Sequence, residues 1–155
     1  MRESIGGTWL FGLVITFIVF FASFLAVSVN YSKAFNVKNN VVDLLGKYEG
    51  NTCDARRKIG EYLSREGYLV SGTCEPGYKG YLINGNPISA GEKAFYCVKT
   101  NSVTSTATLN KMYYGVEVFF RIDFPVFGDL TTFRVKGETE SIYYAVDTEE
   151  DLVCG

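Results

Sequence analysis

The sequence predicts an α+β protein in which a long N-terminal helix carries a small, disulfide-bonded head with an antiparallel sheet. Three observations predict this fold class: an uncharged apolar run at Trp9–Val29, helical spacing of apolar residues that continues to Tyr48, and four cysteines with alternating strand patterns in the rest of the chain. The chain has 155 residues, of which 47% are hydrophobic, and this length suits one ordinary domain.

Composition excludes several classes of function. The 15 Lys and Arg residues against 17 Asp and Glu give a net charge of −2, so the chain lacks the basic excess of a nucleic-acid-binding protein. The absence of histidine removes Ser-His-Asp and Cys-His triads and His-ligated zinc or haem. Glu138 and Glu140 form a carboxylate pair, but Arg134 and Lys136 share their strand face and would hold both ionised. We therefore expect no enzyme and no cofactor.

The apolar run Trp9–Val29 is typical of a membrane span. It has 21 residues without a charge or a proline, and as a helix it would extend roughly 30 Å, the thickness of one hydrocarbon core. We expect residues 1–8 to form a cytoplasmic tail and residues 9–29 a transmembrane helix, with membrane lipid as a partner. A secretory signal cleaved after Ala26-Val27-Ser28 is the alternative.

The helical pattern continues beyond the apolar run. No proline interrupts residues 9–48, and apolar residues recur at helical spacing at Tyr31, Ala34, Phe35, Val41, Val42, Leu45 and Tyr48. This predicts one helix of about 40 residues, roughly 60 Å long, in which residues 30–50 form an amphipathic stem. Because a stem in register with the membrane helix requires that the two stay joined, we expect an uncleaved anchor.

The cysteines predict the orientation of the chain. Cys53, Cys74, Cys97 and Cys154 all follow the apolar run, and an even set indicates two disulfides in an oxidising compartment. We therefore expect a cytoplasmic N-terminus and an extracytoplasmic head at residues 51–155. Of the three pairings that four cysteines allow, we expect Cys53–Cys74 and Cys97–Cys154.

The first part of the head is expected to contain a short helix and a long loop. Residues 54–66 carry an apolar helical stripe, with Asp54 as the expected N-cap and Gly67 as the residue that ends the helix. Arg56-Arg57-Lys58 is expected to lie on the solvated face of this helix, with contact to an acidic partner as the alternative. Residues 71–91 are rich in Gly, Asn and Pro, which predicts a loop, and a strand is expected within 92–103.

A β-hairpin is the strongest pattern in the head. Residues 114–124 alternate between apolar and polar, and a second strand is expected from about Leu130 to Tyr144. A register that pairs Arg121 with Glu138 and Asp123 with Lys136 would match opposite charges. The polar face of the hairpin is the expected head surface, formed by Phe119, Arg121, Lys136 and Glu138. The acidic run at 147–151 lacks a calcium-loop pattern, which favours a solvated turn.

Two segments of the chain carry a family resemblance. They are YSKAFNVKNNVVDLLGKYEG at 31–50 and YYGVEVFFRIDFPVFGDLTTFRVKGETESIYY at 113–144, in which an alternating strand ends in an aromatic-Pro turn. They resemble the TadE-like family of minor pilins from tight-adherence (type IVc) pilus systems. The resemblance implies a pilin-like lollipop and partners that are other pilin-like subunits or further copies of the chain. Gly6 and Gly7 would mark a processing position, although residues 8–29 lack the acid that prepilin helices usually carry.

Bulky aromatic side chains around the helix favour packing between neighbouring helices. The residues expected to support such a bundle are Trp9, Phe11, Phe17, Phe20, Phe21, Phe24 and Phe35. The expected function is therefore that of a structural or assembly protein, a TadE-like minor pilin or pilus-biogenesis subunit. The first alternative is a membrane-tethered extracellular binding module that uses the 71–91 loop. The second is a secreted enzyme cut at Ser28.

Overall fold

The computed structural model describes residues 2–104, 110–124, 128–143 and 154 of the chain. Helix α1 spans Arg2–Lys47 and helix α2 spans Cys53–Arg65. The strands that follow are β1 (Gly72–Thr73), β2 (Lys79–Tyr81), β3 (Lys93–Ala94), β4 (Tyr96–Thr104), β5 (Asn110–Phe124), β6 (Gly128–Glu138) and β7 (Ile142–Tyr143). The main sheet has the order β2-β4-β5-β6 with β7 paired to β5, and β1 pairs separately with β3. A long helix, an antiparallel sheet and two disulfides confirm the predicted α+β class.

The two halves of α1 lie in different surroundings. Side chains from Gly7 to Ala22 are all exposed on the isolated chain. The second half instead buries one face, formed by residues three or four positions apart: Ala34, Val37, Val41 and Leu45. This face packs against β5, β6 and α2. The residues expected to form an amphipathic stem thus supply one wall of the core of the head.

Strand β5 is buried on both faces from Tyr114 to Phe120. Val116 and Val118 belong to the core shared with α1. On the opposite face Phe119 is 1% exposed and packs in a second cluster with Ala94 and Cys97. The prediction of one buried and one wet face is therefore wrong for this stretch, and Phe119 is not part of the head surface. The reason is that the 71–91 segment, which contains β1 and β2, folds over the second face of the sheet.

The predicted register of the β5–β6 hairpin is also wrong. Arg121 lies opposite Thr132, and Glu138 lies opposite Gly115. Because β5 ends at Phe124 and β6 begins at Gly128, the short connection sets the pairing, and the predicted register would need a longer loop. Charge matching across the strands still occurs, since Lys136 faces Glu117.

Helix α2 begins one residue earlier than predicted and has a different cap. The N-cap is Thr52, whose side-chain hydroxyl accepts a hydrogen bond from the Ala55 backbone N–H at 3.3 Å. Asp54 lies inside the first turn and forms an ion pair with Arg57 at 2.8 Å. The helix ends as predicted before Gly67, which has a positive φ of 62° that an L side chain rarely adopts.

Both disulfides join partners other than those predicted. Cys53 is bonded to Cys154, and Cys74 is bonded to Cys97. The fold decides this, because Lys79–Tyr81 pairs with β4 and carries the preceding Cys74 to the sheet face on which Cys97 lies. Cys53 at the start of α2 bonds the remaining cysteine, Cys154. The acidic run at 147–151 lies outside the described residues.

Candidate functional site

The apolar segment Trp9–Val29 is the first candidate site. Among the described residues, α1 is the one helix long and apolar enough to cross a membrane, with a mean hydropathy of 2.7 in its most apolar window and none of that window buried. Its polar side chains are internally satisfied: Thr16 donates to the Gly12 carbonyl at 2.9 Å and Ser23 to the Val19 carbonyl at 2.8 Å. The segment therefore presents no unpaired hydroxyl to lipid at these positions.

The aromatic residues expected to support helix bundling are all at least two-fifths exposed. Trp9 is 76% and Phe20 71% exposed, and Phe35 is 42% exposed. Phe35 differs from the rest because it lies beyond the apolar segment, beneath the ammonium of Lys38 at 4.1 Å from the ring centroid. The remaining members of the set, Phe11, Phe17, Phe21 and Phe24, are 52–65% exposed. This surface is free to contact lipid or another helix.

The structure adds a groove of small residues that the sequence reasoning missed. Thr8, Gly12 and Thr16 follow one another at intervals of four along α1, and a Cβ at Gly12 would meet nothing within 4 Å. Trp9, Leu13, Phe17 and Phe20 border this groove. Small residues at this spacing allow two membrane helices to approach closely. The small-xxx-small spacing in the printed sequence was the available signal.

The residues of the expected head surface do not form one site. Arg121, Lys136 and Glu138 are exposed, whereas Phe119 is buried. Lys136 belongs to a charge cluster with Glu75, Glu117 and Arg134. The Lys136 ammonium lies 2.5 Å from one Glu75 carboxylate oxygen, and the Arg134 guanidinium lies 3.1 Å from the other.

Glu75 joins this cluster to the buried side of β5. Its backbone N–H donates a hydrogen bond to the Glu117 carboxylate at 3.2 Å, and Glu117 also lies 3.5 Å from Lys136. The hydrogen bond from Lys136 lowers the pKa of Glu75, and the same bond raises the pKa of Lys136. The cluster therefore fastens the 71–91 segment to the sheet beside Cys74–Cys97.

The 71–91 segment forms a second candidate site. Residues 73–80 and 88–91 of this segment, together with the adjoining Glu92, surround a cavity of about 350 Å³. The Tyr78 side chain of this segment packs closely on Gly115 of β5, where an added Cβ would lie 3.0 Å from the Tyr78 hydroxyl. A cavity of this volume is at the lower end of the range for small-molecule sites.

Arg56 occupies an unexpected position. It is fully buried, whereas the Arg56-Arg57-Lys58 run was expected on a solvated face, and that expectation is wrong for this residue. Its guanidinium lies 5.2 Å from the centroid of the Tyr81 ring and donates to Cys53 Sγ at 3.3 Å. The Tyr81 hydroxyl accepts a hydrogen bond from Asn51 at 2.7 Å. Arg56 therefore packs inside the head, beside the Cys53–Cys154 disulfide.

These features define an α+β protein with one candidate membrane helix that is built into a disulfide-bonded head. Gly6 and Gly7, the expected processing position, lie within the first turns of α1. Comparison with protein-family models, with curated proteins and with solved structures gives no match.

Proposed function

We propose that the chain is a membrane-anchored structural or assembly protein, a TadE-like minor pilin or pilus-biogenesis subunit without enzymatic activity. In this role α1 spans the membrane with its N-terminus in the cytoplasm and the head outside. The two disulfides support this orientation, because they require an oxidising compartment. Its partners would be membrane lipid and other pilin-like subunits or further copies of the chain.

The observation that carries the proposal is the division of α1 into an uncovered apolar half and a half packed into the head. The first half exposes apolar side chains around its whole circumference. The second half supplies Val41 and Leu45 to the core, so the head is held rigidly at the end of the helix. A rigid rod-and-head unit suits assembly through helix bundling and contacts between heads, because both contacts can be made at once.

The fractionation of intact cells tests the proposal. Cells are sheared, and sheared fibres, membranes and medium are blotted, followed by N-terminal sequencing of each band. Protein in fibres that begins near Gly7 or Thr8 would support a processed pilin. Full-length protein in membranes that co-purifies with pilus components would support a biogenesis subunit. A product in the medium that begins at Val29 would contradict the proposal.

A matched pair of variants tests helix bundling. Gly12→Leu fills the groove between Thr8 and Thr16, whereas Val14→Leu enlarges a side chain on a different face of the same helix. Energy transfer between labelled copies of the full chain in vesicles is expected to fall for Gly12→Leu and to stay unchanged for Val14→Leu. An equal response of the two variants would contradict association through this groove.

The cavity in the 71–91 segment favours the second candidate, a membrane-tethered extracellular binding module. Its size of about 350 Å³ suits a small ligand or a peptide side chain. The two candidates differ in what α1 does. Assembly requires the apolar segment, whereas a binding head keeps its affinity without it. The fragment for this comparison begins at residue 30, because residues 34–45 belong to the core of the head.

A further inference from the structure

The contacts between the head and α1 reach back into the end of the apolar segment. Val27 and Asn30 are half-buried, whereas the two residues between them are exposed. This spacing continues the covered face on which Ala34 lies, because residues three or four positions apart share one face of a helix. Val27 packs against the core of the head, although it precedes the last residue of the apolar segment by two positions. The head therefore lies directly against the end of this segment.

The β5–β6 hairpin runs toward the apolar segment. Tyr31 of α1 contacts Phe120 of β5. Seven residues further along α1, Lys38 lies against Gly137 of β6, where an added Cβ would be 2.6 Å from Lys38 Cδ. Gly137 pairs with Val116, which precedes Phe120 by four residues. Strand β5 therefore runs in the opposite direction to α1, and beyond Phe120 it continues for four residues, about 13 Å, toward the apolar segment.

The exposed large hydrophobic side chains of the head are gathered at this end. Beyond residue 30, those in the described part of the chain are Tyr31, Phe35, Leu69 and Phe133. Phe133 stacks on Phe120, which contacts Tyr31, and Tyr31 stacks on Phe35 with 6.5 Å between the ring centroids. Leu69 lines a cavity of about 130 Å³ together with Phe120. We call these four exposed side chains the apolar rim.

Continuity with the apolar segment indicates lipid as the partner of the apolar rim. Phe24, Tyr31 and Phe35 follow one another on one face of α1, and all three are exposed. If the apolar segment fills the hydrocarbon core, Tyr31 lies about 3 Å beyond its outer boundary along the helix axis. Aromatic side chains of membrane proteins are enriched at this depth. The far end of α1, by contrast, exposes Lys47 and is followed by exposed Glu49.

We propose that the apolar rim is seated in the bilayer interface around α1, with Leu69 and Phe133 between the headgroups and the first carbons of the acyl chains. The head would then be held by two contacts with the membrane, the span and the rim, and could not rotate freely above the surface. The proposal rests on the part of the proposed function that inserts α1 into a membrane, and it does not depend on a role in pili.

Depth-dependent fluorescence quenching of the full, disulfide-intact chain tests this seat. Trp9 is the one tryptophan of the chain, so Phe133→Trp and Leu69→Trp are each combined with Trp9→Phe. The variants are reconstituted into phosphatidylcholine vesicles whose acyl chains carry bromine either near the headgroup or near the terminal methyl. We expect both reporters to lose emission in brominated vesicles, with the larger loss when the bromine is near the headgroup.

Lys47→Trp combined with Trp9→Phe is the matched control. Lys47 is exposed on the same helix, about 27 Å beyond Val29 along its axis, so this reporter should have equal emission in brominated and unbrominated vesicles. Insertion of α1 is measured separately, by quenching of Trp9 in the unmodified chain and by resistance to alkaline extraction. Leu69 is 69% exposed and lies outside the strands, so its reporter decides the result if Phe133→Trp does not fold.

Three results would overturn the seat. If Trp9 is quenched but the two rim reporters are quenched no more than Lys47→Trp, the head stands clear of the bilayer and the proposed function is unaffected. Rim reporters whose emission is shifted to the blue but is not quenched by bromine at either depth would indicate that a second copy, not lipid, covers the rim. A chain that alkaline treatment extracts from the membrane would contradict both this seat and the membrane anchoring in the proposed function.

Discussion

The Tyr31 ring packs edge to face against the Phe120 ring, with 5.8 Å between the ring centroids. Phe120 in turn stacks on Phe133 at 5.3 Å, so an aromatic row connects α1 to β5 and β6. Because Tyr31 is two residues beyond the apolar segment, the head begins where the apolar segment ends. The head therefore has no flexible linker to α1, and its orientation relative to the apolar segment is fixed by the helix.

A fragment that starts at residue 51 is expected not to fold. It lacks Val37, Val41 and Leu45, whose burial contributes about 5 to 9 kcal/mol at about 1.5 to 3 kcal/mol for each side chain. This sum is comparable to the whole stability of a small domain. Circular dichroism and urea unfolding should show a cooperative transition for the fragment 30–155 and none for the fragment 51–155.

The controls for this experiment are two single substitutions within the fragment 30–155, one at a buried and one at an exposed leucine. Leu45→Ala removes a fully buried side chain and should cost about 2 to 5 kcal/mol in free energy of unfolding. Leu69→Ala removes one that is 69% exposed and should change stability by less than about 0.5 kcal/mol. A cooperative transition for the fragment 51–155 would show that α1 is not part of the core.

Two helical glycines should respond to alanine in opposite directions. At Gly60 in α2 a Cβ would overlap the backbone carbonyl oxygen of Ile83, so Gly60→Ala should destabilise the head by about 1 to 3 kcal/mol. At Gly46 in α1 a Cβ would meet nothing within 4 Å, and Gly46→Ala should stabilise by about 0.5 to 1 kcal/mol through the higher helix propensity of alanine. Urea unfolding of the two variants measures both effects, and changes of the same sign would contradict the packing of α2 on the Ile83 turn.

Removal of the two disulfides should have unequal effects. The Cys53–Cys154 bond joins residues 101 positions apart, and Cys74–Cys97 joins residues 23 positions apart. In the chain-entropy model the longer loop stabilises by about 4.7 kcal/mol and the shorter by about 3.4 kcal/mol. The double variants Cys53→Ser/Cys154→Ser and Cys74→Ser/Cys97→Ser are compared by thermal unfolding. Peptide mapping of the unreduced protein that finds Cys53 joined to Cys74 would contradict the structure.

The ion pair between Glu75 and Lys136 predicts a dependence of stability on acid pH. The pKa of Glu75 is lowered in the folded state, so its contribution is present above the unfolded value of about 4.3 and is lost as the pH falls through the folded pKa. The difference in melting temperature between the wild type and Glu75→Gln should therefore be constant from about pH 5 to neutrality and shrink below about pH 4.

At alkaline pH the contribution of the ion pair to stability changes with pH in the opposite direction. The raised pKa of Lys136 contributes stability below its unfolded value of about 10.4, and this contribution is lost as the pH rises through the folded pKa. Burial also raises the pKa values of Tyr68 and Tyr96, so several groups affect stability at alkaline pH. The melting temperature at acid pH is therefore the specific test of the ion pair. A Glu75→Gln difference that persists unchanged to pH 2 would contradict the ion pair.

Local patterns in the sequence were sufficient for the two helices and the longest strand, but not for the short strands β1 and β2, which lie in the segment 71–91 that was expected to be a loop. The length and composition of Trp9–Val29 and the spacing that continues to Leu45 predict α1, because a helix repeats its environment every 3.6 residues. Alternation of apolar and polar residues predicts β5, because successive side chains of a strand point to opposite faces of the sheet. Gly67 marks the end of α2. The cap at Thr52 was missed, because Thr52 and Asp54 are both good N-cap residues and the backbone conformation decides between them.

Contacts between residues distant in sequence decided the burial of β5, the disulfide pairing and the shape of the cavities. Nothing in the alternation of β5 shows that the 71–91 segment covers Glu117 and Phe119, since a strand buried on both faces depends on what lies over it. The disulfide partners follow from the same arrangement, because four cysteines are compatible with three pairings until the chain path is known. A cavity of about 130 Å³ likewise exists only where Lys33 of α1, Tyr68 of the α2–β1 connection and Arg121 of β5 come together. Sequence periodicity is a property of one element, whereas burial, pairing and the shape of a site are properties of several elements packed together.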